Sequence, residues 1–258
     1  TQVRVAHDAA QAILETIKQE RIDLIIMGWN AEPPSPGRIF GNVVDTVIRQ
    51  AYCEVVLVKL GIKHQGLGNW YGTENREDTD SFPLTDDSIP SYVQCPMPDA
   101  QSPIPEWNQW LVPMGGGPNA EEAVKLLPAL VSLSQSPKIR LCQVFKPTEP
   151  VPSTPVLDRA IRNIRRRLDS QSGVWKGLSH RSVSIPVIGT HIRGYSVPEA
   201  VTKLARADRY DVVLVGASRE GLLEHAIKGN IPEAIARGCN CTVILVRGAI
   251  DSESKPST

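Results

Sequence analysis

Two kinds of apolar patterning alternate along this chain. In one, apolar residues recur at three- and four-residue spacing, as across Ala9 to Gln19 and Val197 to Ala207, which predicts helices. In the other, apolar residues run without polar alternation, as in Leu24-Ile25-Ile26-Met27, Val55 to Val58, Val212 to Val215 and Val243 to Val246. Short runs of that kind predict strands buried on both faces. The two patterns also repeat. Residues 3–63 and 191–251 align without a gap at a constant offset of 188, pairing Ala12 with Ala200, Asp23 with Asp211, Gly28 with Gly216, Gly41-Asn42 with Gly229-Asn230, Arg49 with Arg237 and Cys53 with Cys241. Each copy reads as a short lead, a helix, an Asp, a strand ending in Gly, a loop, a second helix beginning near Gly-Asn, and a β-branched strand.

Upstream of the second copy the alternation continues. Trp110 to Met114 reads as a strand, Ala120 to Leu133 as a helix, Ile139 to Phe145 as a strand, Pro155 to Leu168 as an amphipathic helix and residues 183–190 as a third strand. Strands separated by helices imply a parallel sheet covered on both faces, so the class is α/β. The expected organisation is a rear half of one unit at 1–63, keeping its third strand but not its first two, then a linker at 64–104. A complete five-stranded parallel open sheet with helices on both faces follows at 105–250, and a tail at 251–258. The linker assignment rests on many Gly and Pro and an acidic cluster from Glu74 to Asp87, a composition that cannot bury enough surface to order itself. Its aromatics Trp70, Tyr71, Phe82 and Tyr92 leave docking onto a neighbouring unit open. A half unit must also have its exposed sheet edge covered, by a second chain or by upstream sequence.

Composition narrows the classes. The 258 residues are 41% hydrophobic and 22% charged, with 28 basic against 28 acidic residues. Zero net charge argues against nucleic acid as a partner. The longest apolar runs fall far short of the ~20 residues that cross a bilayer, and no signal-peptide pattern is visible. Five cysteines at irregular spacing fit a reducing compartment rather than a disulfide framework. A start at Thr1 rather than Met reads as a fragment of a longer product.

The candidate chemistry lies where open α/β sheets bind ligands, at the carboxyl ends of their strands. Met114-Gly115-Gly116-Gly117-Pro118-Asn119 is a glycine-rich turn entering a helix, and glycine lets backbone N–H groups approach an anion at a helix start. Gly216 ends a strand, and thirteen residues later Gly229-Asn230 opens the last helix, a spacing that Gly28 and Gly41-Asn42 repeat. The glycines serve equally as tight strand-to-helix turns.

On these residues the chain resembles the universal stress protein family. Nucleotide-binding members of that family carry, after the fourth strand, a Gly, two residues, a Gly, nine residues, then Gly with a small polar residue. Gly216-Ala217-Ser218-Arg219, nine residues and Gly229-Asn230 follow that frame, as do Gly28-Trp29-Asn30-Ala31, nine residues and Gly41-Asn42. The middle glycine is replaced by Arg219 and by Ala31, and the family's Asp at the end of the first strand is Gly115 here. Arg219 would obstruct backbone approach by a polyphosphate or pair with a phosphate itself. The resemblance implies the adenine nucleotide alpha hydrolase-like fold. It also implies a nucleotide site of Met114, Gly115, Gly116, Gly117, Val144, Gly216, Arg219, Gly229 and Asn230, with a weaker second site at Gly28, Ala31, Gly41 and Asn42. The ligand would be AMP, ADP or ATP, with no obligatory cofactor.

Other motifs read more plainly. Ser218 nearly matches a nucleophile elbow, but Glu220 stands where that strained turn needs a small residue. Cys239 and Cys241 form a C-x-C without a second pair at zinc spacing and read as core thiols. His7, His64, His180, His191 and His225 are scattered. Neither a catalytic residue nor a metal site is therefore expected. Arg159, Arg162, Arg165, Arg166 and Arg167 oppose Leu157, Ile161, Ile164 and Leu168, giving a solvated basic face or one that meets anionic lipid, an acidic partner or the acidic linker.

These features together read as a non-enzymatic regulatory module on the cytoplasmic side of a membrane transporter, whose transmembrane portion would be its partner. The phrases Gly28-Trp29, Gly41-Asn42-Val43-Val44-Asp45 and Lys228-Gly229-Asn230-Ile231-Pro232-Glu233-Ala234 resemble transporter-attached family members, chloride-channel type first and amino-acid permease type second. The alternatives are a free-standing stress protein that binds or slowly hydrolyses ATP, and a non-binding scaffold. Family members often pair their fifth strands across a two-fold axis, so a homodimer through Val243 to Val246 is also expected.

Overall fold

The computed structural model describes residues 5–30, 39–61, 107–115, 118–152, 155–170, 185–218, 222 and 230–250. Helix α1 (Ala9–Gln19) leads into β1 (Leu24–Gly28), α2 (Asn42–Gln50) and β2 (Glu54–Lys59). Then follow β3 (Gln109–Pro113), α3 (Pro118–Val131), β4 (Lys138–Phe145), α4 (Pro155–Ser170), β5 (Val187–Arg193), α5 (Val197–Ala207), β6 (Val212–Ala217), α6 (Ile231–Gly238) and β7 (Thr242–Arg247). The α/β class and the largely parallel sheet flanked by helices are as the patterning predicts. Ala9–Gln19 and Val197–Ala207 keep their predicted bounds, while the strand expected at 183–190 lies at Val187–Arg193. Among residues 5–8 no third strand of the first copy is present, and residues 1–4 lie outside the described residues. So do the aromatics of the 64–104 segment and the tail.

All seven strands form one sheet in the order β1-β2-β7-β6-β3-β4-β5. Every pairing is parallel except β2 with β7, which is antiparallel and places Leu57 opposite Leu245. These two leucines are equivalents at the repeat offset, so the local two-fold between the copies passes through them. The last strands of the two copies therefore pair, but within one chain. Both edges of β7 are occupied, by β6 and β2, which removes the edge through which Val243 to Val246 was expected to join a second chain. The repeat extends to the backbone. Arg21 and Arg209, again equivalents, both adopt positive φ, of 52° and 53°, where the chain turns from helix into strand.

Two apolar clusters sandwich the sheet. One packs α1, α2, α5 and α6 against Val55, Leu57, Leu111, Val213, Val243 and Leu245. The other packs α3 and α4 against Val56, Trp110, Val112, Leu214, Ile244 and Val246. The first copy contributes helices to one face only. Among the described strands β1, the equivalent of β6, and β5 are the two edges, and on β1 Ile26, beside Val56 on the second face, is 62% exposed.

Candidate nucleotide site

The carboxyl ends of β3 and β6 bring two of the glycine segments together. Strand β3 pairs in parallel with β6 through Trp110 and Val212 and through Leu111 and Val213. Asp211 fixes that junction from the other end, because its carboxylate accepts the backbone N–H groups of Asn108 (3.0 Å) and Gln109 (2.9 Å). At the carboxyl end the chain leaves β3 at Met114, whose N–H donates to the Cys142 carbonyl, and enters α3. The start of α3 lies directly over Gly216. A Cβ built there would stand 1.7 Å from the Asn119 carbonyl oxygen. Gly216 is thus required by close packing of a helix start on a strand end, a contact in which any side chain would collide.

Gly115 has a different role. It is exposed, and a Cβ at that position meets no described residue within 4 Å. Val144 is half-buried and packs against the first apolar cluster. Asn230 is buried and spends both ends of its side chain on structure: Oδ1 accepts the Glu233 N–H at 3.0 Å, capping α6, and Nδ2 donates to the Leu222 carbonyl at 2.7 Å. Gly116, Gly117, Arg219 and Gly229 lie outside the described residues. Ser218 uses its carbonyl to accept the Leu222 N–H. Among the described residues no group of His, Cys, Asp and Glu is arranged to hold a metal ion.

The weaker second site is built differently. Gly41, at φ 107°, caps α2, and Gly28 is exposed with open space around its Cβ direction, while Ala31 lies outside the described residues. Asn42 is the first residue of α2. Between the two glycines, Trp29 and Phe40 stack edge to face at 4.8 Å and are both buried. The buried carboxylate of Asp45 accepts the N–H groups of Ile39 and Phe40, each at 2.9 Å. Arg237 of the second copy lies over the Trp29 ring at 5.3 Å and donates to the Ile39 carbonyl. The two described ends of this segment, Trp29 and Ile39-Phe40, are therefore packed together and held by Arg237 across the seam.

Sequence reasoning missed the residues that join the copies. Arg247 is 2% exposed, and its guanidinium donates to the carbonyls of Cys53, Gly248 and Ala51. Lys59, its equivalent, is buried and donates to the Cys239 carbonyl, the counterpart of Ala51. Burial holds the Lys59 ammonium below its ordinary range. Each last strand thus ends in a cation that reaches back across the seam. The available signal was a Lys or Arg closing an otherwise apolar strand at the same position of both copies. The Arg-rich helix α4 buries Leu157, Ala160, Ile164 and Leu168 and leaves its arginines exposed, with Arg165 donating to the Val187 carbonyl.

A largely parallel sheet wound with helices on both faces, with a helix start packed on the next strand's end, defines an α/β protein of the class that binds ligands outside its strand termini. The chain belongs to the universal stress protein family, whose profile matches residues 1–59 and 107–247. A universal stress protein from Archaeoglobus fulgidus aligns with 95% of this chain and 67% of its own length, at a TM-score of 0.54 and 14% identity, a likeness of fold. A universal stress protein solved with cAMP aligns with 55% of this chain and 98% of its own, at 17% identity and a TM-score of 0.37, too low to bear on the ligand here. Among curated proteins, the Na(+)/H(+) antiporter NhaS5 of Synechocystis is 36% identical over 59 residues, 22% of this chain. The chain spans 8% of that antiporter's length. The transporter relative found is thus a cation antiporter, whereas the sequence phrases pointed first to a chloride channel. Among the described residues no helix is long and apolar enough to cross a membrane.

Proposed function

We propose that this chain is a nucleotide-responsive regulatory module of a membrane cation transporter, on its cytoplasmic side, and is not itself an enzyme. The observation that carries the nucleotide part is the junction at Gly216, where the start of α3 meets the end of a neighbouring strand close to the exposed Gly115. A helix start presents free N–H groups and a favourable dipole to a phosphate. The antiporter likeness supports the transporter part, and it favours an antiporter over a chloride channel. Regulation would require the nucleotide to bind two states of the transporter unequally.

Calorimetry with ATP, ADP and AMP on the whole chain tests the reading. Binding of one of them is expected, and silence with all three overturns it in favour of the non-binding scaffold. Gly115→Val supplies the second arm, because its Cβ meets nothing within 4 Å among the described residues. That variant should keep its unfolding midpoint and lose the nucleotide; retained affinity would put the site elsewhere. Likeness to the Archaeoglobus protein along 95% of the chain favours a second reading, a free-standing nucleotide-binding stress protein. Transport assays on the membrane protein encoded in the same reading frame, with and without residues 1–258, separate the two.

A further inference from the structure

At the opposite end of the second copy's strands from Gly115 and Gly216 lies a cavity of about 300 Å³ that the nucleotide reading does not use. Its walls include Thr202 and Arg206 of α5, Tyr210, and both Cys239 and Cys241, the two thiols that flank Asn240 at the turn from α6 into β7. The first copy closes it from across the seam. Gly61 sits so close that a Cβ there would stand 2.8 Å from the backbone of Cys241 and Thr242, and Lys59 donates to the Cys239 carbonyl. Cys239 is 3% exposed, and Cys241 is half-buried.

We propose that Cys239 and Cys241 form a peroxide-oxidisable dithiol, with Cys239 the attacking thiol and Cys241 the resolving one. The two thiols stand two residues apart on the wall of one cavity, and the Cys239 sulfur is 3.9 Å from the Thr202 hydroxyl. The neighbouring Cys241 thiol, then contact with the Thr202 hydroxyl and the charges of Lys59 and Arg206, outweigh burial and bring the Cys239 thiol below its ordinary range. Cys241 keeps the shared proton and is pushed up. The other ionisable groups on the cavity wall are Arg209, Tyr210 and Asp211. Of these, burial raises Tyr210 to about 12, so it stays neutral, and the cavity favours the Cys239 thiolate as nucleophile.

The chemistry balances with a hydroperoxide as oxidant. The Cys239 thiolate attacks the peroxide, forming S–O and breaking O–O, so the thiol is oxidised to a sulfenic acid and the peroxide reduced to an alcohol or water. Cys241 then attacks that sulfur, S–S forms, S–O breaks, and its proton leaves with the departing oxygen as water. Cys239 caps α6 and holds Lys59 through its carbonyl, so the disulfide would form at the seam between the copies. The other described thiols differ: burial pushes Cys142 up to about 12 and also raises Cys53.

The test uses the full chain, hydrogen peroxide at equimolar dose near neutral pH, and peptide mapping of all five cysteines. Loss of two mass units between residues 239 and 241, reversed by a dithiol, is expected at a rate at least about tenfold above oxidation of Cys142. In Cys241→Ser, dimedone should mark Cys239; in Cys239→Ser, it should leave Cys241 unmarked. Oxidation of Cys53 or Cys142 ahead of the pair, or a dimedone mark on Cys241 in Cys239→Ser, overturns the proposal. The mass shift in the unmutated chain decides even if a variant fails to fold.

Discussion

Strands β1 and β6 are the same element in the two copies, and they differ in burial. Leu24 to Met27 and Val212 to Val215 are both four apolar residues between an Asp and a Gly. Yet β6 is buried along nearly its whole length, while β1 alternates between exposed and half-buried. The neighbours make the difference. Strand β6 has β3 on one side and α3 across one face, with Asp211 binding the start of β3 and Gly216 receiving the start of α3. Strand β1 has β2 on one side and no described strand on the other, and Asp23 and Gly28, the equivalents of those two anchors, are both exposed. An apolar run therefore records what a strand was selected to lie against, and its burial depends on whether that neighbour is present.

The widest separation should come from truncating the equivalent side chains Leu214 and Ile26. Leu214 is fully buried, and Leu214→Ala should cost about 3 kcal/mol of unfolding free energy in urea. Ile26→Ala should cost about 0.5 kcal/mol or less, because the side chain is already in water. Equal costs would mean that something covers β1 in solution. The glycines follow. Gly216→Ala must push the Asn119 carbonyl aside and should cost about 2 kcal/mol, whereas Gly28→Ala, with nothing within 4 Å, should be neutral or slightly stabilising. A tolerated Gly216→Ala, read by the same urea midpoints, would place α3 further from β6. The Asp pair should separate least. Asp211→Ala removes the acceptor for two N–H groups at the start of β3 and should cost about 1 kcal/mol, against no measurable change for Asp23→Ala.

Much of this architecture was legible in the sequence. The helices Ala9–Gln19 and Val197–Ala207 could be read to the residue because each carries a cap, Asp8 and Ser196, and an uninterrupted apolar stripe. The seam was not legible in the same way. Val55 to Val58 and Val243 to Val246 carry equal apolar patterns, and nothing in a pattern says that two such strands will pair antiparallel within one chain. That choice is made by which edges remain free once the parallel pairs have formed. The cations Lys59 and Arg247 were the only local mark of it, and a buried cation is intelligible only once the carbonyls of Cys239, Ala51 and Cys53 are in place. At the candidate site, the spacing of Gly216 and Gly229-Asn230 located the strand and helix ends. The roles of Gly216 as a packing contact and Asn230 as a cap depend on how α3 and α6 sit, which spacing alone does not carry.

Alkaline pH sharpens the comparison through β4, a strand absent from the described part of the first copy. Burial raises the Cys142 thiol from 9.0 to about 12, with Arg140 pulling weakly the other way, and raises Tyr210 from 10.0 to about 12. Both groups are held protonated by the fold, so the unfolded chain gives up its protons first. Their contribution is complete below pH 9 and is lost as pH rises from 9 towards 12. Cys142 alone should account for about 1 kcal/mol of that loss by pH 10. Cys53, on the first copy's side of the seam, is raised by burial too, but the charge of Arg247 opposes the rise. Urea midpoints at pH 8, 9 and 10 should therefore show a flatter alkaline decline in Cys142→Ala than in Cys53→Ala. An unchanged decline in Cys142→Ala would mean that β4 opens to water before the sheet unfolds, which would make the complete copy, rather than the half one, the weaker part of the fold.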